Sequence, residues 1–289
     1  YKTRERYYGL NRDIKNLFWH KIGGLIVFNT DLILISKLVS MEIVGIYASY
    51  QLIVQMITTI IGIITNVIRP KIGKNVSINS KDVIYLQFKE INIIFMIVAV
   101  FFSYVTYEVI NSFVTLWLGK GLELSRLTVI LICINILIKI FRTIVDVFKE
   151  SYGFFDDIQS PILEAIINLI FSIILGIKYG LNGIIMGTVI SNITIILIYK
   201  PILVLKRCFD KNIKEYIEVY GNYLILLIVS LFCLSIITKP FIRKDINSWS
   251  SWIIYATIIS VITVIVLFIV FLLNKEFRNI IKVYILKEK

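Results

Sequence analysis

Eight apolar stretches divide this chain, and short segments rich in charged residues separate them. Each stretch is long enough for an α-helix to cross the roughly 30 Å hydrocarbon core of a bilayer. None shows the period-two alternation of hydrophobic and polar residues that marks a transmembrane β-strand. The pattern therefore predicts an all-α integral membrane protein with about eight transmembrane helices. The predicted spans are 17–37, 43–68, 91–110, 126–148, 158–177, 181–204, 221–238 and 252–273.

A polar stripe runs along the second predicted span and bears most directly on function. Amide, hydroxyl and guanidinium side chains recur there at helical spacing on one face. Because unpartnered polar groups are costly in hydrocarbon, such a face must meet other helices or water. The stripe predicts a wet path or a packed polar interior, and therefore transport. It consists of Tyr47, Gln51, Gln55, Thr58, Gly62, Thr65 and Arg69.

Charged side chains also fall inside the predicted fourth span. Lys139, Arg142 and Asp146 lie at i, i+3 and i+7, on one helical face. A Lys, Arg or Asp at the centre of a membrane helix costs about 2.5 to 3.5 kcal/mol on insertion scales. These groups therefore need partners or water. Two explanations stay open for the cations, namely snorkelling to the headgroups and a cation patch that faces a cavity.

Two further carboxylates lie inside predicted spans. Asp31 follows Asn29 and Thr30, so it belongs either to a polar helix-end cluster or to a protonatable, cation-binding site on a transport path. Glu164 has the same two kinds of explanation, an interhelical hydrogen-bonding face or a functional carboxylate. It shares a polar stripe of the fifth span with Ser160, Asn168 and Ser172.

Small residues predict how the fifth and sixth spans meet. The run Gly180-Leu181-Asn182-Gly183 is typical of a tight turn, so the two spans should form a hairpin. Gly183, Gly187 and Ser191 then recur every fourth residue, the pattern of close helix packing.

Composition and charge agree with a membrane protein. The chain is 58% hydrophobic with a mean hydropathy of +0.85, and its net charge is +12. The basic residues lie beside the apolar spans rather than on a soluble face, so nucleic acid is not an expected partner. With eight spans, 21 Lys and Arg lie on the side of both termini, against seven on the opposite side. The positive-inside rule therefore predicts cytoplasmic termini.

The sequence offers little for enzymatic chemistry. Cys133, Cys208 and Cys233 lack the spacing of a zinc site, and two of them fall inside predicted spans. The predicted external loops are too short to form a catalytic ectodomain. We therefore expect a protein that is not an enzyme and that needs neither a metal nor a cofactor. A membrane acyltransferase that uses His20, the only histidine, stays open as a weaker alternative, as does a structural membrane subunit.

The predicted organisation has five parts. The chain opens with Tyr1 and a basic segment, without an initiator Met or a signal peptide, so we expect the C-terminal portion of a longer protein. The last two spans carry no internal charge and follow a basic linker. The parts are a cytoplasmic segment 1–16, a six-helix transporter lobe 17–205, a cytoplasmic linker 206–219, two additional transmembrane helices 220–274 and a cytoplasmic tail 275–289.

Five short stretches carry a family resemblance: Asn29–Ser36, Val44–Tyr47, Ile68–Gly73, Phe113–Gly119 and Tyr179–Thr188. They resemble polysaccharide flippases of the multidrug/oligosaccharidyl-lipid/polysaccharide exporter superfamily. Such proteins have two six-helix lobes, and some members add two terminal helices. The resemblance implies that this chain is the second lobe with helices thirteen and fourteen, and that the missing first lobe is its main partner.

The resemblance also implies an activity. A bacterial plasma-membrane flippase would move a polyprenyl-pyrophosphate-linked oligosaccharide, the repeat unit of a cell-surface polysaccharide, to the outer leaflet by alternating access. Its other partners would be membrane lipids, a polysaccharide polymerase and glycosyltransferases. An exporter of drugs or other small molecules from the same superfamily is the alternative.

The candidate site residues fall into three groups under this resemblance. Cationic groups would bind the pyrophosphate, since Arg offers bidentate contacts to phosphate. Polar groups of the stripe would contact sugar hydroxyls, and carboxylates would couple transport to an ion gradient. The groups are Arg69, Lys139 and Arg142 for pyrophosphate, Tyr47, Gln51, Gln55 and Thr58 for sugar, and Asp31 or Glu164 for the coupling ion.

Overall fold

The protein is a bundle of long helices. The computed structural model describes residues 30–157, 159–242 and 246–285, and these ranges contain no β-strand. Six helical segments within them are long and apolar enough to cross a membrane, which confirms an all-α multi-pass membrane protein. The helices are α1 (described over residues 30–38), α2 (Met41–Ile78), α3 (Lys81–Leu118), α4 (Arg126–Ser151), α5 (Gln159–Ser191), α6 (Lys200–Phe209), α7 (Ile213–Ile237), α8 (Trp249–Phe271) and α9 (Lys275–Ile280), with π-helices at Asn192–Tyr199 and Ile281–Ile285 and a 3-10 helix at Lys239–Phe241.

One of the six segments, Gln159–Phe209, is a hairpin. Its helix α5 breaks at Gly180, whose backbone has φ 58° and ψ −134°. The arms on either side then lie against each other, and Ser172 Oγ donates a hydrogen bond to the carbonyl of Ile184 at 2.9 Å. The predicted hairpin is therefore confirmed, and the described residues make seven passes in all. Most of the first predicted span, 17–37, lies outside the described residues.

The predicted small-residue packing is also present. A Cβ placed on Gly183 would lie 1.9 Å from the carbonyl oxygen of Leu175, and one on Gly187 would lie 2.3 Å from the backbone nitrogen of Ser172. Only glycine leaves room for the backbones of the two arms to approach this closely.

Helices α2 and α3 are longer than the apolar pattern predicts. Each has 38 residues and so extends for roughly 57 Å, well beyond the hydrocarbon core. The apolar pattern predicts a loop from Arg69 to Lys89 between these two helices, and this prediction is wrong. The segment is helical on both sides of the turn at Asn79 and Ser80. Buried Ile72 and Ile84 pack where the two ends meet, so tertiary contacts extend helices whose polar composition resembles a loop.

The last two long helices pack on α3. Near one end of the bundle, the hydroxyls of Tyr104 and Thr238 lie 2.6 Å apart, and Trp252 Nε1 donates to the carbonyl of Val109 at 3.2 Å. The opposite faces of α7 and α8 expose large apolar side chains, including Phe232 and Ile269. Helix α3 thus lies between these two helices and α4, at the centre of the described bundle.

Candidate functional site

A group of ion pairs joins three helices inside the bundle. Arg142 on α4 donates from Nε to Oδ2 of Asp146 at 3.0 Å, and its Nη1 lies 3.5 Å from Oε1 of Glu164 on α5. The ammonium of Lys200, at the start of α6, lies 3.7 Å from Oδ1 of Asp146. Partners within the protein therefore stabilise these charges, and the Arg142 side chain is 29% exposed.

Helix geometry brings these side chains together. Arg142 and Asp146 are one turn apart on α4, which places both on the face that meets the first arm of α5. Lys200 directly follows the π-helix Asn192–Tyr199, whose wider turn rotates the later residues relative to a regular α-helix. The Lys200 side chain is only 5% exposed.

A second polar group surrounds Asp31 on α1. This residue is 7% exposed, and its two carboxylate oxygens accept from the hydroxyl of Thr188 at 3.2 and 3.1 Å. Asn168 Nδ2 in turn donates to Thr188 Oγ1 at 2.9 Å. The chain of hydrogen bonds connects α1 to both arms of α5. Asn29, which the alternative helix-end cluster requires, lies outside the described residues.

Lys139 connects the two groups. It lies on α4 within electrostatic range of Asp31, Glu164 and Arg142. These neighbours form one charge network inside the bundle. Two of the cations that the resemblance assigns to pyrophosphate, Lys139 and Arg142, therefore have acidic neighbours. The network consists of the carboxylates Asp31, Asp146 and Glu164 and the cations Lys139, Arg142 and Lys200.

The polar stripe of α2 is divided between the bundle and its surface. Tyr47 and Thr65 are 3% and 2% exposed, whereas Gln55 and Arg69 are exposed. The centre of the stripe lies roughly 60° around the helix axis from the centre of the buried face, at 3.6 residues per turn. The remaining residues form a polar strip beside the packed face, and we name it the α2 flank. It consists of Gln51, Gln55, Thr58, Gly62 and Arg69.

The polar stripe of α2 meets the charge network at Tyr47 and approaches it at Arg69. Tyr47 lies within electrostatic range of Asp31, so the buried end of the stripe is next to the network. Arg69 forms an ion pair with Glu150, one helical turn from Asp146 on α4. Gln55 and Thr58 contact neither the network nor another helix through a side-chain hydrogen bond within the described residues.

Several polar contacts were missed by sequence reasoning. Asn192 Nδ2 donates to Asn135 Oδ1 at 2.8 Å, and Lys149 is a buried residue whose ammonium lies 3.2 Å from Asp157. The sequence contains a signal that could have identified Asn135 and Lys149. On α4, polar residues continue at three- and four-residue steps on both sides of Lys139, Arg142 and Asp146. The series runs through Asn135, Lys139, Arg142, Asp146 and Lys149.

The described residues contain no cluster of three or more His, Cys, Asp or Glu that could bind a metal ion. Cys133, Cys208 and Cys233 are free thiols, and the first two are buried. His20, the histidine that an acyltransferase would require, lies outside the part of the chain that the structure describes.

Known proteins offer no template for the candidate site. No family model matches the chain, and neither a curated protein nor a solved structure matches it.

Proposed function

We propose that this chain is part of a bacterial plasma-membrane transporter, not an enzyme, which moves a polyprenyl-pyrophosphate-linked oligosaccharide to the outer leaflet by alternating access. The observation that supports this most is the position of the α2 flank. Amides, a hydroxyl and a guanidinium lie on the surface of a membrane helix, beside its packed face and away from exposed Met56 and Val67. Such a surface is stable in a membrane where it borders water or another polar surface.

The flank fits the two chemical parts of the substrate. Arg69 lies in the half of α2 that is proposed to face the cytoplasm, and its side chain is 45% exposed. It pairs with one carboxylate, that of Glu150, whereas Arg142 pairs with two and is less exposed, so Arg69 is the better placed of the two to receive a pyrophosphate. Gln51, Gln55 and Thr58 follow along the same helix, at positions suited to sugar hydroxyls.

The same proposal names partners. The missing first lobe would cover the α2 flank across a water-filled cavity, and both termini of this chain would be cytoplasmic. A polysaccharide polymerase and glycosyltransferases would consume and supply the lipid-linked sugar. Asp31 and Glu164 are the proposed ion-coupling carboxylates, since both belong to the charge network.

A counterflow assay tests the proposed substrate. The full-length protein in vesicles should exchange labelled lipid-linked oligosaccharide, and Arg69→Gln should reduce this exchange at least tenfold. Lys71→Gln is the matched control, because it removes the same charge from an exposed position on another face of α2 and should leave the rate unchanged. Equal rates in the two variants would remove Arg69 from the substrate path.

One observation favours a second candidate, a small-molecule exporter. The charge network contains three carboxylates. They would suit a cationic solute if the Lys and Arg side chains of the network moved away from them. Counterflow of cationic drugs without any movement of lipid-linked oligosaccharide would select this function over the flippase.

A further inference from the structure

A polar cleft opens between α3, α7 and the start of α9. We propose that it binds the head group of a phospholipid that carries a primary ammonium next to its phosphate, as phosphatidylethanolamine does. The cleft shares no residue with the charge network or the α2 flank, so this binding site does not depend on the proposed function. Its lining includes Lys89, Glu215, Glu218, Asn222, Tyr223 and Glu276.

The position of the cleft corresponds to the head-group level of a membrane. Lys89, Glu218 and Glu276 each lie within three residues of the end of a different apolar stretch. Three apolar stretches therefore end where these charged side chains meet in one cleft. Leu224 and Leu273, each next in the chain to a lining residue, are 56% and 71% exposed. They offer apolar surface to the acyl chains of a lipid whose head group occupies the cleft.

The charge of the lining favours a cationic group. Three carboxylates and one ammonium line the cleft, although the chain as a whole has a net charge of +12. Glu215 accepts a hydrogen bond from the hydroxyl of Tyr85 at 2.6 Å. Glu218 is exposed and has neither an ion pair nor a side-chain hydrogen bond to the residues that the structure describes. Its carboxylate can therefore accept from an incoming ammonium, whereas the lining would repel an anionic head group.

The neighbouring groups favour a primary ammonium over other cations. The described part of the chain contains no group of three or more His, Cys, Asp or Glu that could hold a metal ion, so the carboxylates of the cleft do not converge on one. Quaternary ammonium groups bind on aromatic faces. Here the ring of Tyr85 already has two Lys ammonium groups at 5.0 and 5.1 Å, and Tyr223 is 4% exposed. A primary ammonium has three donors, and Glu218 and Asn222, one turn apart on α7, supply acceptors for them.

The wall that α3 contributes suits the phosphate. Lys89 Nζ lies 3.5 Å from Oε1 of Glu276, longer than a close charge-assisted hydrogen bond, so this ammonium has donors left for a phosphate oxygen. One turn further along α3, Asn92 is fully buried, and neither polar atom of its amide has a partner within the described residues. Buried polar groups are rarely left unpaired. This amide therefore indicates that a polar ligand, or water that accompanies it, reaches the junction of α3 and α7.

Native mass spectrometry of the full-length protein in detergent tests the site. The protein is titrated with phosphatidylethanolamine, phosphatidylcholine and phosphatidylglycerol that carry identical acyl chains. Phosphatidylethanolamine should bind about tenfold more tightly than the other two, because only its ammonium donates hydrogen bonds to the carboxylates. Glu218→Gln should weaken its binding by about the same factor. Glu42→Gln is the matched control, since it removes an exposed carboxylate from the first turn of α2 and should leave binding unchanged.

Two further measurements make the result decisive. If Glu218→Gln does not fold, Asn222→Leu takes its place, because it removes the amide acceptor and should weaken binding in the same way. Glycerophosphoethanolamine, the same head group without acyl chains, should not displace the lipid at equal concentration. Equal affinities for the three lipids would overturn the proposal, as would unchanged binding in the folded variant. Displacement by glycerophosphoethanolamine would show that the cleft takes a soluble amine and would refute the lipid.

Discussion

The guanidinium of Arg142 lies between two carboxylates, donating from Nε to Asp146 at 3.0 Å and lying 3.5 Å from Glu164 on the neighbouring helix. Arg142 therefore holds α4 and α5 together by charge as well as by packing. A substrate phosphate that bound this guanidinium would have to displace one of the carboxylates. Helix-to-helix contact is thus the first role of Arg142 that mutation should reveal.

Removal of the Arg142 charge should destabilise the bundle. Arg142→Gln leaves Asp146 and Glu164 close to each other without their common partner. Loss of one partner from a fully buried ion pair costs about 3–5 kcal/mol, and the cost should be smaller here because Arg142 and Asp146 are 29% and 25% exposed and Asp146 keeps Lys200. Thermal unfolding of the purified protein in detergent should therefore begin at a clearly lower temperature. The double variant Arg142→Gln/Glu164→Gln should recover part of this loss, and a double variant no more stable than the single one would contradict the pairing.

The hairpin of α5 should tolerate no side chain at Gly187. A Cβ there would lie 2.3 Å from the backbone nitrogen of Ser172, so Gly187→Ala must push the two arms apart. Gly45→Ala is the control, since nothing lies within 4 Å of a Cβ at that position. We expect loss of folded protein for the first variant and normal yield for the second, measured by size-exclusion chromatography. Similar yields would show that the arms are not in close contact.

The buried hydroxyl of Tyr50 should stabilise the link between α2 and the loop before α4. It donates to Asn111 Oδ1 at 2.6 Å and accepts from the backbone nitrogen of Leu124 at 3.0 Å. Tyr50→Phe leaves both groups without this partner, which costs about 1–3 kcal/mol. Tyr179→Phe removes an exposed hydroxyl and should have no effect on thermal unfolding. Equal melting temperatures for the two variants would refute the role of Tyr50.

The connection between α4 and α5 should lose a contact in acid. Hydrogen bonds from Arg207, at 2.9 and 2.7 Å, hold the pKa of Asp156 below its ordinary value of 3.8. Because the folded protein has the lower pKa, the contact stabilises it above about pH 4, and this stabilisation is lost as the pH falls through the folded pKa. The stability difference between wild type and Asp156→Asn should therefore shrink below pH 4. A difference independent of pH would contradict the ion pair.

The sequence was sufficient for the parts of the fold that depend on local pattern. Apolar length predicted the spans, and Gly180, Gly183 and Gly187 predicted the hairpin and its close packing. It failed at the ends of α2 and α3, where helices continue into polar sequence. Those ends are stabilised by contacts between distant residues, such as Asn75 with Gln87, that helix propensity does not encode.

Part of the candidate site could also be predicted from the sequence. The spacing of Lys139, Arg142 and Asp146 placed them on one face, but it did not identify their partners. Spacing along the chain also did not indicate that Lys200 would pair with Asp146, because the two residues lie on separate helices. Which carboxylate meets which cation is set by the relative placement of separate helices, which hydrophobic periodicity leaves open.

The most direct measurement of the transport account is the water accessibility of the α2 flank in the full-length protein. Single cysteines at Gln55 and Thr58, in a background without Cys133, Cys208 and Cys233, should react with a membrane-impermeant thiol reagent. A cysteine at Met56, which is 69% exposed on the apolar face of α2, should not react. Reaction at the two flank positions alone is the predicted result. Shielding of both, at the same level as Met56, would show that no aqueous path runs along this helix.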